Sequence, residues 1–422
     1  MELTNNKSNN SAIKLIFICV LIYAISYVGR KAYDSNINEI MTFFGQEKSV
    51  VGLVGTFFFI AYAVGQVIHG LMCKYYNPRI IICVALFLTA SINFIVALLP
   101  VNMFWVVKYL WLINGFSHAT FWSVIILILS KYVANKYKRT SMVALLLPVP
   151  IGTFLAYGIS ALMSYLNNFK YSFILSASLL TLLGIIWLIR SKALFNACLE
   201  EKKILDAEIP SFDTQIKQVA KKTKSKIPTS FFVMFGVLAI VAIINNLVKD
   251  GINTWTPTML KETYRLENWF SVLLTLTIPL FAVFGSYLSL SLIKKLKNYY
   301  ALCGVLYLLA TIIFVVLIFC LNINTWIITL ICFILIVLFM SGVNYIVTCV
   351  FPMENSEIAN SGMVAGLIDG FCYAGSAIAS FALGKIAEIF TWETVMYFLL
   401  ALTMFATVIC FLSLIFQKRQ KN

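Results

Sequence analysis

Long apolar segments follow one another along almost the whole chain, and they constrain the fold more than any other feature. Each is about 20 residues or longer, the length that an α-helix needs to cross the hydrocarbon core of a bilayer. We predict helices over residues 12–40, 49–73, 79–99, 103–131, 139–166, 170–190, 229–257, 266–293, 299–321, 325–351, 358–388 and 392–416. The chain is therefore predicted to be an all-α polytopic membrane protein with twelve transmembrane helices.

The composition argues against the other classes of protein. Of the 422 residues, 61% are hydrophobic and 12% are charged, whereas soluble domains have roughly 45–50% apolar and about 25% charged residues. A β-barrel would instead show alternating segments of about 10 residues. The first segment, which begins at Ile13, is too long for a removable signal peptide and lacks a small-residue cleavage site, so we expect it to remain as the first helix.

The formal net charge of +15 is explained by the loops between the apolar segments. Cations cluster in alternate connections, at 74–79, 131–139, 191–228, 294–297 and 418–421, and such connections face the cytoplasm in helical membrane proteins. We therefore predict a multi-pass protein of the cell inner membrane with both termini cytoplasmic. The connection at 352–358 has two acids and no cation and departs from this pattern. Because the cations lie in loops, we expect no nucleic-acid partner.

The longest connection divides the predicted helices into two groups of six. We predict an N-terminal six-helix half over residues 1–190, a charged cytoplasmic linker over 191–228 and a C-terminal six-helix half over 229–422. This layout resembles the major facilitator superfamily, in which two halves pack around a central pathway and the substrate binds near the midplane between them.

Cysteine and histidine patterns do not indicate a metal site. The ten cysteines lie mostly inside apolar segments without C-x-x-C spacing, and the two histidines are His69 and His118. We therefore expect neither a disulfide framework nor a bound metal or other cofactor.

Two cations at the ends of apolar segments are candidates for a binding site. Arg30 lies in "YVGRKAYDSN" and Lys249 lies in "NLVKDGINTW". They are separated by 249 − 30 = 219 residues, about half the chain, as a two-fold internal repeat would place them. One alternative is that both side chains extend to the membrane surface. The other is that both line a pathway, since an ionisable residue within a span is costly and usually functional.

Four stretches of the sequence resemble the organophosphate:phosphate antiporters, the group with the bacterial glycerol-3-phosphate and hexose-phosphate transporters. They are "YVGRKAY", "GTFFFIAYAVGQVIHGLMCKYYNPR", "LVKDGINTWTPTMLKE" and "SGMVAGLIDGFCYAGSAIASFALGKIAEIFTW". In that family an arginine in helix 1 and another in helix 7 bind the substrate phosphate. The resemblance implies that Arg30 is one ligand, and it places Lys249 where the second arginine is expected.

The lysine at the second position weakens the expected specificity. A guanidinium grips phosphate with two parallel hydrogen bonds, whereas an ammonium is a compact point charge. Asp250 directly follows Lys249. If its carboxylate reaches the ammonium, it partly neutralises the site, and the substrate would be a monoanion or a zwitterion.

The resemblance implies further residues along the pathway. Tyr23, Tyr27, Tyr62 and Tyr373 would donate hydroxyls to substrate oxygens, with packing between helices as the alternative role. Independently of the resemblance, Asp369 is a candidate as an acid within a span. It would pair with Lys249 or select a substrate amine or hydroxyl, or else bond a neighbouring backbone group; Gly366 and Gly370 beside it predict close helix packing there. Weaker candidates are Asp250, His118, Trp122 and Gln66, the last standing where the glycerol-phosphate transporters have a lysine.

Together these patterns predict a secondary active transporter and not an enzyme, so we expect no catalytic residue. Its substrate would be a small organic anion, such as a sugar phosphate or glycerol phosphate, moved by alternating access in exchange for inorganic phosphate. We expect a monomer in contact with membrane lipid. Two alternatives stay open: a proton-coupled carrier of another metabolite or drug, and a sugar-phosphate sensor.

Overall fold

The computed structural model describes residues 11–72, 75, 77–208, 229–296, 298–321, 325–355 and 361–419. These residues form helices and no β-strand, and twelve segments are long and apolar enough to cross a membrane, which confirms the predicted fold class. We number the segments as spans 1 to 12: Ser11–Ser35, Lys48–Met72, Pro78–Leu98, Val101–Met103 with Phe104–Tyr132, Asn135–Ala144 with Pro148–Tyr165, Lys170–Glu208, Thr229–Tyr264, Asn268–Thr275 with Thr277–Leu296, Tyr299–Leu321, Trp326–Tyr345 with Ile346–Val350 and Phe351–Glu354, Ser361–Ile389, and Trp392–Arg419.

Local sequence sets where several helices begin and end. Span 3 begins at Pro78, a residue whose fixed φ suits the first turn of a helix. The side chain of Asn77 caps that turn by accepting a hydrogen bond from the backbone N–H of Arg79 at 3.1 Å. A short helix, Ile37–Phe44, separates spans 1 and 2 and ends at Gly45, whose φ of 62° is the left-handed conformation that glycine adopts without strain.

Span 6 is longer than predicted and extends well into the segment expected to be a linker. The part of span 6 after residue 190 packs on spans 4 and 1: the ring of Phe195 stacks on Tyr132 with centroids 4.1 Å apart, and Glu201 accepts a hydrogen bond from the backbone N–H of Ala12. These contacts explain why a charged sequence stays helical to Glu208. Residues 209–228 lie outside the described residues, and the predicted division into halves and linker stays a prediction.

Spans 1–6 and spans 7–12 are bonded to each other across one end of the bundle, which we call the closed end. Lys48 at the start of span 2 forms an ion pair of 3.0 Å with Glu262 near the end of span 7. The backbone N–H of Ser49 donates to Glu388 near the end of span 11 at 2.9 Å. Asn268 at the start of span 8 donates to Ser164, and further bonds run between Asn268 and the short helix Ile37–Phe44.

Spans 2 and 11 form a tight seam that runs inward from the closed end. The hydroxyl of Ser380 donates to the carbonyl of Gly52 at 2.8 Å, and the hydroxyl of Thr56 donates to the carbonyl of Ala377 at 2.7 Å. A Cβ at Gly52 would lie 2.1 Å from the carbonyl oxygen of Ser380. Only a residue without a side chain permits this approach of two backbones.

The seam ends within span 11, and the predicted close packing at Gly366 and Gly370 is wrong. A Cβ at either glycine would meet no heavy atom within 4 Å. The helix surface next to Asp369 therefore borders open space, and the contacts that join spans 2 and 11 lie closer to the closed end, from Tyr373 to Glu388. The predicted site residues lie where the tight seam gives way to this space.

Candidate functional site

Arg30 lies inside a cage of aromatic rings near the end of span 1. Its guanidinium donates a hydrogen bond of 3.1 Å to the hydroxyl of Tyr27, and the residue is 6% exposed. The carbon Cζ lies 5.0 Å from the ring centroids of Tyr27, Phe58 and Tyr62, 5.6 Å from that of Phe59 and 5.9 Å from that of Tyr373. These distances are those of cation–π contacts.

Within the described part of the chain, no carboxylate oxygen lies within 4 Å of the Arg30 guanidinium. A buried charge is costly unless an opposite charge or several hydrogen bonds compensate it. The rings and the Tyr27 hydroxyl compensate only part of this charge, so the pocket suits an anion. Elementary electrostatics therefore favours the pathway interpretation of Arg30 over the membrane-surface interpretation.

Lys31, the next residue, is arranged differently. Its ammonium forms an ion pair of 2.7 Å with Asp34, one turn further along span 1, and both residues are buried. Asp34 stands three residues after Lys31 and four after Arg30, and both spacings place side chains together on a helix. The fold pairs Asp34 with Lys31 and leaves Arg30 without an acid partner among the residues that the structure describes.

The predicted tyrosines surround Arg30 and belong to both groups of spans. Tyr62 of span 2 and Tyr373 of span 11 have ring centroids 4.3 Å apart, so the cage is closed by a contact between the two groups. Tyr23 lies one turn below Tyr27, with edge-to-face rings 5.3 Å apart. The structure thus brings Tyr23, Tyr27, Tyr62 and Tyr373 to one place.

Three weaker candidates border the cage. Gln66 donates to the hydroxyl of Tyr62 at 3.0 Å, and the ring of Trp122 lies 5.6 Å from that of Tyr23. His118 is fully buried behind the cage, where its Nε2 bonds the carbonyl of Ser26 at 2.8 Å. Because His118 is fully buried, it is separated from the open space beside Asp369.

Lys249 and Asp250 form the part of the site that span 7 contributes. The ammonium of Lys249 lies 3.9 Å from the carboxylate of Asp250, and their side chains are 19% and 18% exposed. The other oxygen of Asp250 accepts a hydrogen bond of 2.5 Å from the hydroxyl of Ser376. The contact with Lys249 is at the outer limit of an ion pair, so the neutralisation considered from the sequence is partial.

Asp369 contributes a carboxylate from span 11. It is half-buried, and the charges that act on it are those of Lys249, Arg30 and Asp250. Among the residues that the structure describes, none donates a hydrogen bond to this carboxylate and no cation lies within 4 Å of it. The expected backbone bond is not found, and the contact with Lys249 is longer than an ion pair.

Sequence reasoning missed three contributors to the site. Phe58 and Phe59 complete the cage around Arg30, and Ser376 fixes Asp250. Phe58 stands four residues before Tyr62, and Ser376 seven after Asp369, so helical spacing could have indicated both. Among the described residues, no group of three His, Cys, Asp or Glu side chains could hold a metal ion.

Comparison with known proteins agrees with this architecture. The family model described as Major Facilitator Superfamily matches residues 19–380. The chain therefore belongs to the Major Facilitator Superfamily, and its fold and family define a non-enzymatic, multi-pass membrane transporter. Among curated proteins, the membrane sensor protein UhpC of Escherichia coli is 29% identical over 94 residues, which are 22% of this chain and 21% of that protein.

Solved transporter structures share the fold along nearly the whole chain. A peptide transporter in complex with sulfate has a TM-score of 0.75 at 13% identity, covering 96% of this chain and 94% of its own. A bacterial homologue of the human lysosomal transporter Spinster, in an inward-facing and occupied conformation, has a TM-score of 0.72 at 14% identity, covering 96% and 97%. The xylose transporter XylE of Escherichia coli has a TM-score of 0.70 at 12% identity, covering 94% and 97%. At these identities the likeness concerns the fold alone.

Proposed function

We propose that this transporter moves a small organic anion, an organophosphate such as a sugar phosphate or glycerol phosphate, by alternating access. The single observation that carries the proposal is the buried guanidinium of Arg30, which has no carboxylate partner in the described part of the chain. A phosphate group supplies the charge and the bidentate acceptors that a guanidinium prefers. The resemblance to the organophosphate:phosphate antiporters at the same residue supports this substrate class.

The arrangement of spans suggests how binding is coupled to movement. The cage contains residues from both groups of spans, Arg30 and Tyr62 on one side and Tyr373 on the other. An anion held between Arg30 and Lys249 would draw spans 1 and 7 together and favour closure around the substrate. Inorganic phosphate would then bind the same cations and return the carrier, which makes the cycle an exchange.

The loop charges give this cycle a direction in the membrane. The basic connections are predicted to face the cytoplasm, and the connections at the closed end are the cation-poor ones. In the proposed orientation both termini are cytoplasmic and the closed end faces outward. With its outward end closed, the structure is then in the inward-facing conformation.

Two other functions remain candidates because specific observations favour them. The half-buried carboxylate of Asp369, which lacks a donor among the described residues, would suit a carrier driven by protons. The match to a membrane sensor protein favours a protein that binds a ligand without moving it. Uptake driven by a pH gradient without phosphate exchange would identify the first, and saturable binding without flux would identify the second.

The test is exchange in proteoliposomes loaded with labelled inorganic phosphate. Glycerol-3-phosphate, glucose-6-phosphate and small phosphonates are added outside in turn, and phosphate efflux is followed. Efflux that stays at background with every one of these anions would overturn the proposal.

Variants of the two cations test the site. Arg30→Lys removes a bidentate, charge-assisted contact worth about 1.5–3 kcal/mol, so we expect phosphate affinity to fall about 10- to 150-fold. Lys249→Arg should keep or tighten binding of a phosphate dianion. The matched control is Lys108→Ala, because Lys108 of span 4 lies against the ring of Tyr109 and not in the cage. Wild-type exchange by Arg30→Ala would show that Arg30 has no role in binding.

A further inference from the structure

The charges around the open space balance without any substrate. Arg30 and Lys249 contribute two positive charges, and Asp250 and Asp369 contribute two negative charges. A dianion bound there alone would leave a surplus of two negative charges, and the two carboxylates would repel it. A substrate with its own positive charge would reduce that surplus.

The two acids are not equivalent. Asp250 accepts a short hydrogen bond from Ser376 and lies at ion-pair distance from Lys249. Asp369 accepts no hydrogen bond from the described residues, although it is half-buried beside Gly366 and Gly370, which border open space. Its carboxylate therefore retains acceptor capacity on the side from which a ligand would arrive.

Asp369 also lies within a small molecule's length of Arg30. Tyr373 follows Asp369 by four residues on the same face of span 11, and this spacing places their Cβ atoms about 6 Å apart. The ring of Tyr373 is in turn 5.9 Å from Cζ of Arg30. A ligand of a few bonds can thus have one end at the guanidinium and the other at the carboxylate.

We infer that Asp369 is a subsite for an ammonium group, so that the transported organophosphate or phosphonate is a zwitterion with an amine a few bonds from its phosphorus. The inference rests on the proposed function, since it assumes that Arg30 binds the phosphate end. Lys249 and Asp250, partly neutralised by each other, then line the space between the two ends.

Two esters that differ in one group test the inference. O-Phosphoethanolamine and propyl phosphate have the same chain length, and only the first carries an ammonium. Binding of each to the purified full chain in detergent is measured by the ligand-dependent shift in thermal unfolding, from which Kd follows. We expect wild type to bind O-phosphoethanolamine at least tenfold more tightly than propyl phosphate.

The variants assign the preference to Asp369. Asp369→Asn should reduce the preference to within twofold, because it removes the partner of the ammonium and also a negative charge that repels the phosphate group of both esters. Asp369→Glu should keep the preference. Glu393→Gln is the control, because Glu393 is an exposed acid of span 12 that bonds Tyr397. A role of Asp369 in proton coupling alone would leave the preference for the amine unchanged in Asp369→Asn, and that result would overturn the inference.

The outcomes separate this inference from the function on which it rests. If wild type binds both esters equally, the ammonium subsite is refuted while phosphate recognition stands. If the preference survives in Asp369→Asn, its assignment to Asp369 is refuted. If neither ester binds, the zwitterionic substrate is refuted, while the proposed function is judged separately by the phosphate exchange assay with glycerol-3-phosphate and glucose-6-phosphate. The comparison of the two esters in wild type needs no variant. It therefore tests the ammonium subsite even if the Asp369→Asn protein does not fold.

Discussion

Replacing Gly52 with alanine should open the closed end of the transporter. The added methyl carbon would lie 2.1 Å from the carbonyl oxygen of Ser380 and 3.1 Å from a ring carbon of Trp255. Neither neighbour can turn aside, because the first is backbone and the second is a buried ring. Spans 2 and 11 must therefore separate by roughly 1 Å before the contact becomes an ordinary one.

The expected energy follows from two contributions. Overpacking of this kind costs about 1–3 kcal/mol. Separation also weakens the 2.8 Å hydrogen bond from Ser380 to the carbonyl of Gly52, a net loss of about 0.5–1.5 kcal/mol. Both penalties apply only while the seam is closed, so a sum of about 1.5–4.5 kcal/mol changes the ratio of closed to open molecules by roughly 10- to 1,600-fold.

The measurement is the distribution of distances between spin labels across the closed end. Val50 of span 2 and Phe390 beyond span 11 are exposed and suit replacement by cysteine, in a background without accessible native cysteines. We expect Gly52→Ala to enrich the longer distances. Gly236→Ala is the control, because a Cβ there meets no heavy atom within 4 Å. An unchanged distribution in Gly52→Ala, or an equal change in the control, would refute the reasoning.

Two further predictions concern buried charges. Burial raises the pKa of Glu39 in the short helix at the closed end, and this effect outweighs the hydrogen bonds and the charge of Lys261 that lower it. The closed state therefore binds a proton more tightly than an open state in which Glu39 is hydrated. Lowering the pH from about 8 to about 5 should therefore enrich the short distances between the spin labels. Glu39→Gln should abolish this pH dependence. A pH response that persists in Glu39→Gln would contradict its assignment to Glu39. Removing either Lys31 or Asp34 leaves a buried charge unpaired and should cost about 3–5 kcal/mol of stability. The double variant should unfold at a higher temperature than either single variant, and strictly additive losses would argue against the pair.

Much of the fold could be predicted because lipid leaves a chain few choices. In a bilayer every backbone polar group must be bonded within the segment, so each apolar stretch of sufficient length becomes a helix. The number and order of the spans therefore followed from hydropathy. The end of span 6 did not, because residues 191–208 are charged and their helix depends on contacts such as Phe195 with Tyr132.

The sequence by itself determined which charged side chains lie inside spans and at what spacing, but not which of them are paired. Asp34 stands within reach of both Arg30 and Lys31 on an isolated helix, and only the packed structure joins it to Lys31. In the same way, glycines at 52 and 366 look alike in sequence. The first lies in a backbone contact between spans 2 and 11 and the second borders open space. The physical reason is that the choice among nearby partners, and the contact made by a glycine, depend on how the spans pack, and the residues that pack together can lie hundreds of positions apart.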